Sequence, residues 1–159
     1  MASDSSENIT KTCGIKMLVL LNDDWQLGHI NDDPVRPHLT KEWRTSDGRE
    51  VYGLTEEGDG IMRAVVCVAY TKGVGITEDD LNNTDEPDTA MFYTVWSYAR
   101  GAGRQIIFDT ADVIKREKPH IKRFCTLSPL TEMAEKFHLR NGAKFLRRGE
   151  ICQNFEYEI

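Results

Sequence analysis

TAMFYTVWSYARGAGRQIIFDTADVIKRE, Thr89 to Glu117, is the stretch whose reading decides the fold. Thr89 to Tyr98 is rich in aromatic and β-branched residues, lacks Gly and Pro, and follows the turn-forming Asp-Glu-Pro-Asp, which predicts a central strand. From Gly103 the spacing turns helical. Ile107, Ala111 and Ile114 share one stripe with Ile106 and Val113 beside it, and Asp109, Asp112, Lys115 and Arg116 lie opposite, until Pro119 stops the helix. Between strand and helix lies Arg100-Gly101-Ala102-Gly103-Arg104. Small residues there let backbone N–H groups approach a ligand, and the helix N-terminus adds partial positive charge, so the turn suits a pyrophosphate. A tight strand-to-helix turn flanked by two solvated arginines is the alternative, because short glycine motifs are weak signals.

Composition narrows the classes. A chain of 159 residues can bury a core as one domain, expected at 13–159 behind a flexible polar tail at 1–12. No apolar run reaches the roughly 20 residues of a membrane span, and no signal peptide is visible, so no membrane partner and a cytoplasmic location are expected. A formal net charge of −6 argues against a nucleic-acid partner. Basic clusters at Lys115–Lys118, Lys122–Arg123 and Arg147–Arg148 read as solvated faces or, for one near the glycine turn, as a phosphate contact. Cys13, Cys67, Cys125 and Cys152 show no C-x-x-C spacing and read as reduced core residues, so no metal is expected.

In chain order, Gly14 to Leu21 reads as a first strand and Gly28 to Trp43 as a loop with a short helical turn, its His29 and His38 at the surface. Arg49 to Thr55 and Ile61 to Thr71 read as strands joined at Glu57-Gly58-Asp59-Gly60. A polar connection with a helical turn at Glu78 to Asn82 leads into the central strand. After the helix, Ile121 to Leu127 reads as a strand ending in a Ser128-Pro129 turn. Thr131 caps a helix through Leu139, and Ala143 to Arg148 and Ile151 to Ile159 are two last strands. This is an α+β order: a mostly antiparallel sheet with helices packed on its faces and one β-α-β crossover.

That order resembles the GNAT acyl-CoA N-acyltransferase superfamily. Its phosphate loop commonly runs Arg or Gln, two residues, Gly, one residue, then Gly or Ala, a frame that meets Tyr98-Ala99-Arg100-Gly101-Ala102-Gly103 with the first position changed. The stretch from Met133 to Ala143 looks like the superfamily's last helix, with His138 in place of a tyrosine that often protonates the departing CoA thiolate. A closer resemblance is to the C-terminal catalytic domain of malonyl-CoA decarboxylase. It is carried by Arg49-Glu50-Val51-Tyr52, Val68 to Gly73, Thr89 to Thr94, Arg116 to His120, Thr126 to Pro129, Phe137-His138-Leu139-Arg140-Asn141-Gly142-Ala143 and Asn154 to Tyr157, in the family's order. These blocks span Arg49 to Ile159, and the family's catalytic histidine lies in the Phe-His-Leu block. No part of this sequence is expected to match the family's N-terminal helical domain. Its Phe-Tyr-Ser-Ile-Ser appears as Phe92-Tyr93-Thr94-Val95-Trp96, with Ser97 one residue out of register and so on the opposite strand face.

The resemblance implies an acyl-CoA ligand and an enzyme, either decarboxylating malonyl-CoA or a related acyl-CoA, or transferring acetyl from acetyl-CoA to an amine. A degenerate interaction protein is the third class, with a homodimer as its expected partner state. His138, Thr94 and Ser97 are the expected catalytic residues: His138 as proton donor titrating near pH 6.5, and Thr94 as holder of the leaving carboxylate. Tyr98, Arg100, Gly101, Ala102, Gly103 and Arg104 are expected at the coenzyme. Tyr93 and Trp96 are expected either at the substrate or in the core.

Overall fold

The computed structural model describes residues 16–57 and 59–159, so the expected tail, Cys13 and the start of the first expected strand lie outside the described residues, as does Gly58. The sheet is built from β1 (Lys16–Leu20), β2 (Arg49–Glu56), β3 (Met62–Thr71), β4 (Thr89–Ser97), β5 (Arg123–Thr126), β6 (Ser128–Pro129), β7 (Lys144–Arg148) and β8 (Cys152–Tyr157). Its order is β1-β2-β3-β4-β5-β8, with β6 and β7 both pairing with β8. Among the described residues every pairing is antiparallel except β4 with β5, which the helix α3 (Ala102–Glu117) joins as the single crossover. Ser128-Pro129, expected as a turn alone, forms a two-residue bridge to Cys152 and Gln153.

Strand alternation makes two cores. On one face Tyr52, Leu54, Val66, Val68, Phe92 and Phe155 meet Ile106, Ile107, Ala111 and Ile114 of α3, the stripe expected from the spacing. On the other face Val51, Val65, Cys67, Met91, Tyr93 and Trp96 are covered by residues of the segment between β1 and β2. That segment is more ordered than a loop. It holds α1 (Asp24–Leu27), a 3₁₀ turn (Gly28–Asp32) and α2 (Lys41–Arg44), with Asp23 and Thr40 capping the two helices. The last helix, α4 (Glu132–Arg140), is capped by Thr131 and packs Phe137 and His138 toward the α3 side. Cys67, Cys125 and Cys152 are free thiols in the interior, as expected.

Two irregularities of β4 prepare a site. Its antiparallel register with β3 slips, Cys67 facing Thr94 and Val68 facing Phe92, so Tyr93 is the extra residue of a β-bulge. Tyr93 and Thr94 therefore both point away from α3. Its parallel register with β5 ends at Phe92 and Thr126, and the next amide, Leu127 N, still donates to Phe92 O at 3.1 Å. Beyond that point β4 has no strand beside it on the β5 side among the described residues.

Candidate functional site

Immediately after the unpaired part of β4 the chain turns into α3. Gly101 takes φ +80 at the N-cap, a left-handed conformation costly for residues with a Cβ, and no side chain caps the helix there. Among the described residues no acceptor meets the amides of Gly103 and Arg104, the orphan donors a helix start presents to an anion. Gly103 is small for a separate reason. A Cβ on it would come within 3.2 Å of Phe137 Cζ and 3.7 Å of Ser97 Oγ, so the glycine lets the start of α3 close on α4.

The side chains expected at the coenzyme divide. Arg100 and Gly101 are exposed, and Ala102 and Gly103 are buried. Arg104 does not extend over the turn: Nη1 donates to Asn141 O at 3.2 Å, and the guanidinium stacks 4.7 Å from the Phe108 ring. Tyr98 faces the opposite side of the sheet. Its hydroxyl donates to Asp32 Oδ2 at 2.6 Å and accepts from Trp96 Nε1 at 2.9 Å. Burial and the neighbouring Asp32 push its pKa up to about 12, so the phenol stays protonated. The basic cluster Lys115–Lys118 is remote from the turn, at the other end of α3, roughly 20–24 Å away at 1.5 Å per residue.

Ser97 lies on the α3 face near Gly103, whereas Thr94 lies on the other face, so the two hydroxyls are separated by the sheet. The Thr94 hydroxyl donates to Asp33 Oδ1 at 2.9 Å inside a buried network. The same oxygen accepts from the amides of Val35 and Arg36, and Asp33 Oδ2 accepts from Arg44 Nη1 at 2.8 Å. Arg44 is fully buried and also donates to Leu39 O and Arg36 O. Burial would push the Asp33 carboxyl up, but the two amides and the Arg44 guanidinium outweigh it and hold the pKa below the ordinary carboxylate value. Tyr93 is 1% exposed, its ring edge-on to Trp43, so its side chain is core, and its carbonyl accepts from Arg36 Nη1. Trp96 is likewise buried, with only its indole N–H reaching the surface group around Tyr98.

His138 is 5% exposed, among Phe137, Phe155 and Tyr157, with Nδ1 2.8 Å from the Tyr157 hydroxyl. Burial lowers its pKa to about 4, which corrects the expectation of a group titrating near 6.5: the ring is neutral at pH 7. Among the described residues no hydrogen bond joins His138 to Thr94 or Ser97. The three residues expected to act together are held at three places, with Ser97 and His138 sharing the α3 side.

Sequence reasoning missed Asp33 and Arg36, which fall within the expected loop Gly28 to Trp43, and Arg44 just beyond it. Asp33-Pro34 is a turn signal, but nothing in the pattern marks these charges as buried. Two cavities lie elsewhere: one of about 390 Å³ at the C-terminal end of α3, bordered by Glu50, Tyr70, Lys118 and His120, and one of about 350 Å³ beside α1 and α2. Among the described residues no helix is long and apolar enough to cross a membrane.

No family model and no curated protein matches this sequence. Solved structures do match the fold. Malonyl-CoA decarboxylase from Agrobacterium vitis superposes with a TM-score of 0.64 at 21% identity, over 77% of this chain and 35% of that one. An acetyltransferase from Bacillus subtilis in complex with CoA gives 0.59 at 12% identity, over 89% of this chain and 95% of that one. The GNAT domain of PAT from S. lividans gives 0.50 at 17%, over 70% and 61%. The chain has the GNAT fold. Within it, the chain spans about a third of the length of the malonyl-CoA decarboxylase it matches. The bulged β4, its parting from β5 and the glycine turn into α3 are thus set in a GNAT framework that, in the Bacillus subtilis structure, is complexed with CoA.

Proposed function

We propose that this GNAT-fold chain binds an acyl-CoA, with the pyrophosphate on the free amides at the start of α3 and the thioester beside the bulge of β4, and that it decarboxylates malonyl-CoA or a related acyl-CoA. The observation that carries the reading is the parting of β4 from β5 directly before an uncapped, glycine-initiated helix. An extended pantetheine can take the place of the missing strand there by hydrogen bonding to the unpaired edge of β4.

In decarboxylation the bond between the carboxylate and the α-carbon breaks, its electron pair enters the thioester carbonyl, and the enolate takes up a proton to give acetyl-CoA and CO2. Backbone amides near Thr94 to Trp96 would stabilise the oxyanion. In the tautomer where the Tyr157 hydroxyl donates to Nδ1, neutral His138 carries its proton on Nε2 and would pass it to the enolate while Nδ1 takes the Tyr157 proton, which solvent then replaces, so that no imidazolate forms. Thr94 serves in this reading through Asp33, and the leaving carboxylate must be oriented by other groups.

Acetyl transfer to an amine is favoured instead by one observation, that the Thr94 hydroxyl is committed to Asp33 and so is not free for a carboxylate. Incubation with malonyl-CoA and with acetyl-CoA plus amines, following CO2, acetyl-CoA and free thiol, separates the two. Absence of CoA affinity at millimolar ligand would leave a non-catalytic interaction protein.

A further inference from the structure

We infer that Arg36 is the positioning residue of the thioester end: it clamps the carbonyl of the bulge residue Tyr93 and so sets the backbone of β4 against which the acyl group lies. The inference rests on the acyl-CoA reading above and adds a residue from a different part of the chain. Arg36 Nη1 donates to Tyr93 O at 2.5 Å, across 57 positions of sequence. Nη2 lies 3.7 Å from Cys152 Sγ at the start of β8, on the far side of the gap left by β5. The guanidinium therefore spans from the bulge to the opposite wall. Its Nε is 3.0 Å from Glu78 Oε2 but is not aimed at it, so this contact is an ion pair without a directed hydrogen bond.

A bulge leaves one residue without a ladder partner, and its backbone is free to rotate unless something else fixes it. Here two anchors fix it from the same side. Arg36 takes the Tyr93 carbonyl, and Asp33 takes the Thr94 hydroxyl. Arg36 is itself immobilised: its amide donates to Asp33 and its carbonyl accepts from Arg44 Nη2. Only 3% of Arg36 is exposed, so it acts as part of the interior and not as a surface counter-ion. Such a fork-shaped donor set fixes orientation in a way that an ammonium does not.

The test compares Arg36→Met and Arg36→Lys with the unaltered full chain, using malonyl-CoA and acetyl-CoA as substrates and CoA as the calorimetric ligand. Expected for Arg36→Met is a kcat lower by about 10- to 100-fold, the loss that follows when a reacting group is misplaced by about 1 Å. KM and CoA affinity should stay within about twofold, because the pyrophosphate lies at α3. Arg36→Lys should fall between, and added methylguanidinium should restore part of the lost rate. The ¹³C carbonyl shift of Tyr93 should move in both variants. Unchanged kcat in Arg36→Met, or equal losses of kcat and CoA affinity without rescue, overturns the inference. Where Arg36→Met does not fold, Arg36→Lys decides by the same kcat ratio and carbonyl shift. Where the unaltered chain turns over neither thioester, the enzymatic reading fails by itself, and an unmoved Tyr93 carbonyl in Arg36→Lys overturns the clamp separately.

Discussion

His138 Nδ1 lies 2.8 Å from the hydroxyl of Tyr157, and this contact joins the end of α4 to the last strand inside the core on the α3 side. Burial lowers the histidine pKa from 6.5 to about 4, so the folded chain prefers the neutral ring and the unfolded chain protonates first as pH falls. The stability held by this preference is complete above pH 6.5 and is lost as pH falls toward 4. The loss should be on the order of 3 kcal/mol. Urea midpoints between pH 7 and 4 should fall steeply in the unaltered protein and much less in His138→Phe. Asp33, held below the ordinary carboxylate value, adds its own loss only at lower pH.

The same burial reshapes the expected kinetics. If His138 donates a proton to the enolate or the thiolate, His138→Ala should lower turnover by roughly two to four orders of magnitude while leaving CoA affinity nearly unchanged. The pH–rate profile should show no histidine limb near 6.5, because the ring is already neutral there. An intact turnover in His138→Ala would make the His138–Tyr157 pair a packing device alone.

Gly101 sits at φ +80 with open space where a Cβ would go, so conformation and not crowding sets the cost of replacing it. Gly101→Ala should destabilise by about 1 kcal/mol, and Gly101→Asn by less, since asparagine tolerates the left-handed region. If the amides at the start of α3 hold the pyrophosphate, calorimetric CoA affinity should fall further in Gly101→Ala than in Gly101→Asn. Equal and unaltered affinities would move the phosphates elsewhere.

The strand, turn and helix of 89–117 were legible because each rests on local chemistry: β-branched and aromatic residues, a glycine where φ turns positive, and an apolar stripe at helical spacing. The α1 to α2 segment was not legible as structure, because its helices are four residues each and are held by tertiary contacts more than by periodicity. The site was half legible. The glycine turn was visible, but the bulge at Tyr93 is a property of the β3–β4 pair, and the anchoring of Thr94 depends on an aspartate 61 positions away. A buried Asp or Arg has no local signature, since composition places such residues at the surface. His138 stood out as a motif residue, yet its pKa depends on Phe137, Phe155 and Tyr157 closing over it, which the sequence does not state.

Thr94 supplies one of the bonds on Asp33, and Thr94→Val would leave the carboxylate one donor short at nearly constant volume. The expected cost is about 1–3 kcal/mol, and Thr94→Ser should recover most of it. Chemical denaturation of the three proteins reads this directly. Equal stability of Thr94→Val and the unaltered protein would free the hydroxyl for a role in catalysis.

The Asp33–Arg44 pair is 0% exposed at both side chains, and its energetics should be strongly non-additive. Arg44→Met leaves the Asp33 charge with its amides and Thr94 but without its counter-ion, and should cost about 3–5 kcal/mol. Asp33→Asn keeps an oxygen that can accept from Val35 N, Arg36 N and the Thr94 hydroxyl, but turns an NH2 group toward the Arg44 guanidinium, donor against donor. The cost of Asp33→Asn therefore depends on Arg44 being present. In the double variant the clash is gone and no uncompensated charge remains, so its destabilisation should be smaller than the sum of the singles by about 1–3 kcal/mol. A double-mutant cycle by urea denaturation at pH 7 measures that difference. Simple additivity would mean that Asp33 and Arg44 stabilise the bulge independently, through Thr94 on one side and Arg36 on the other.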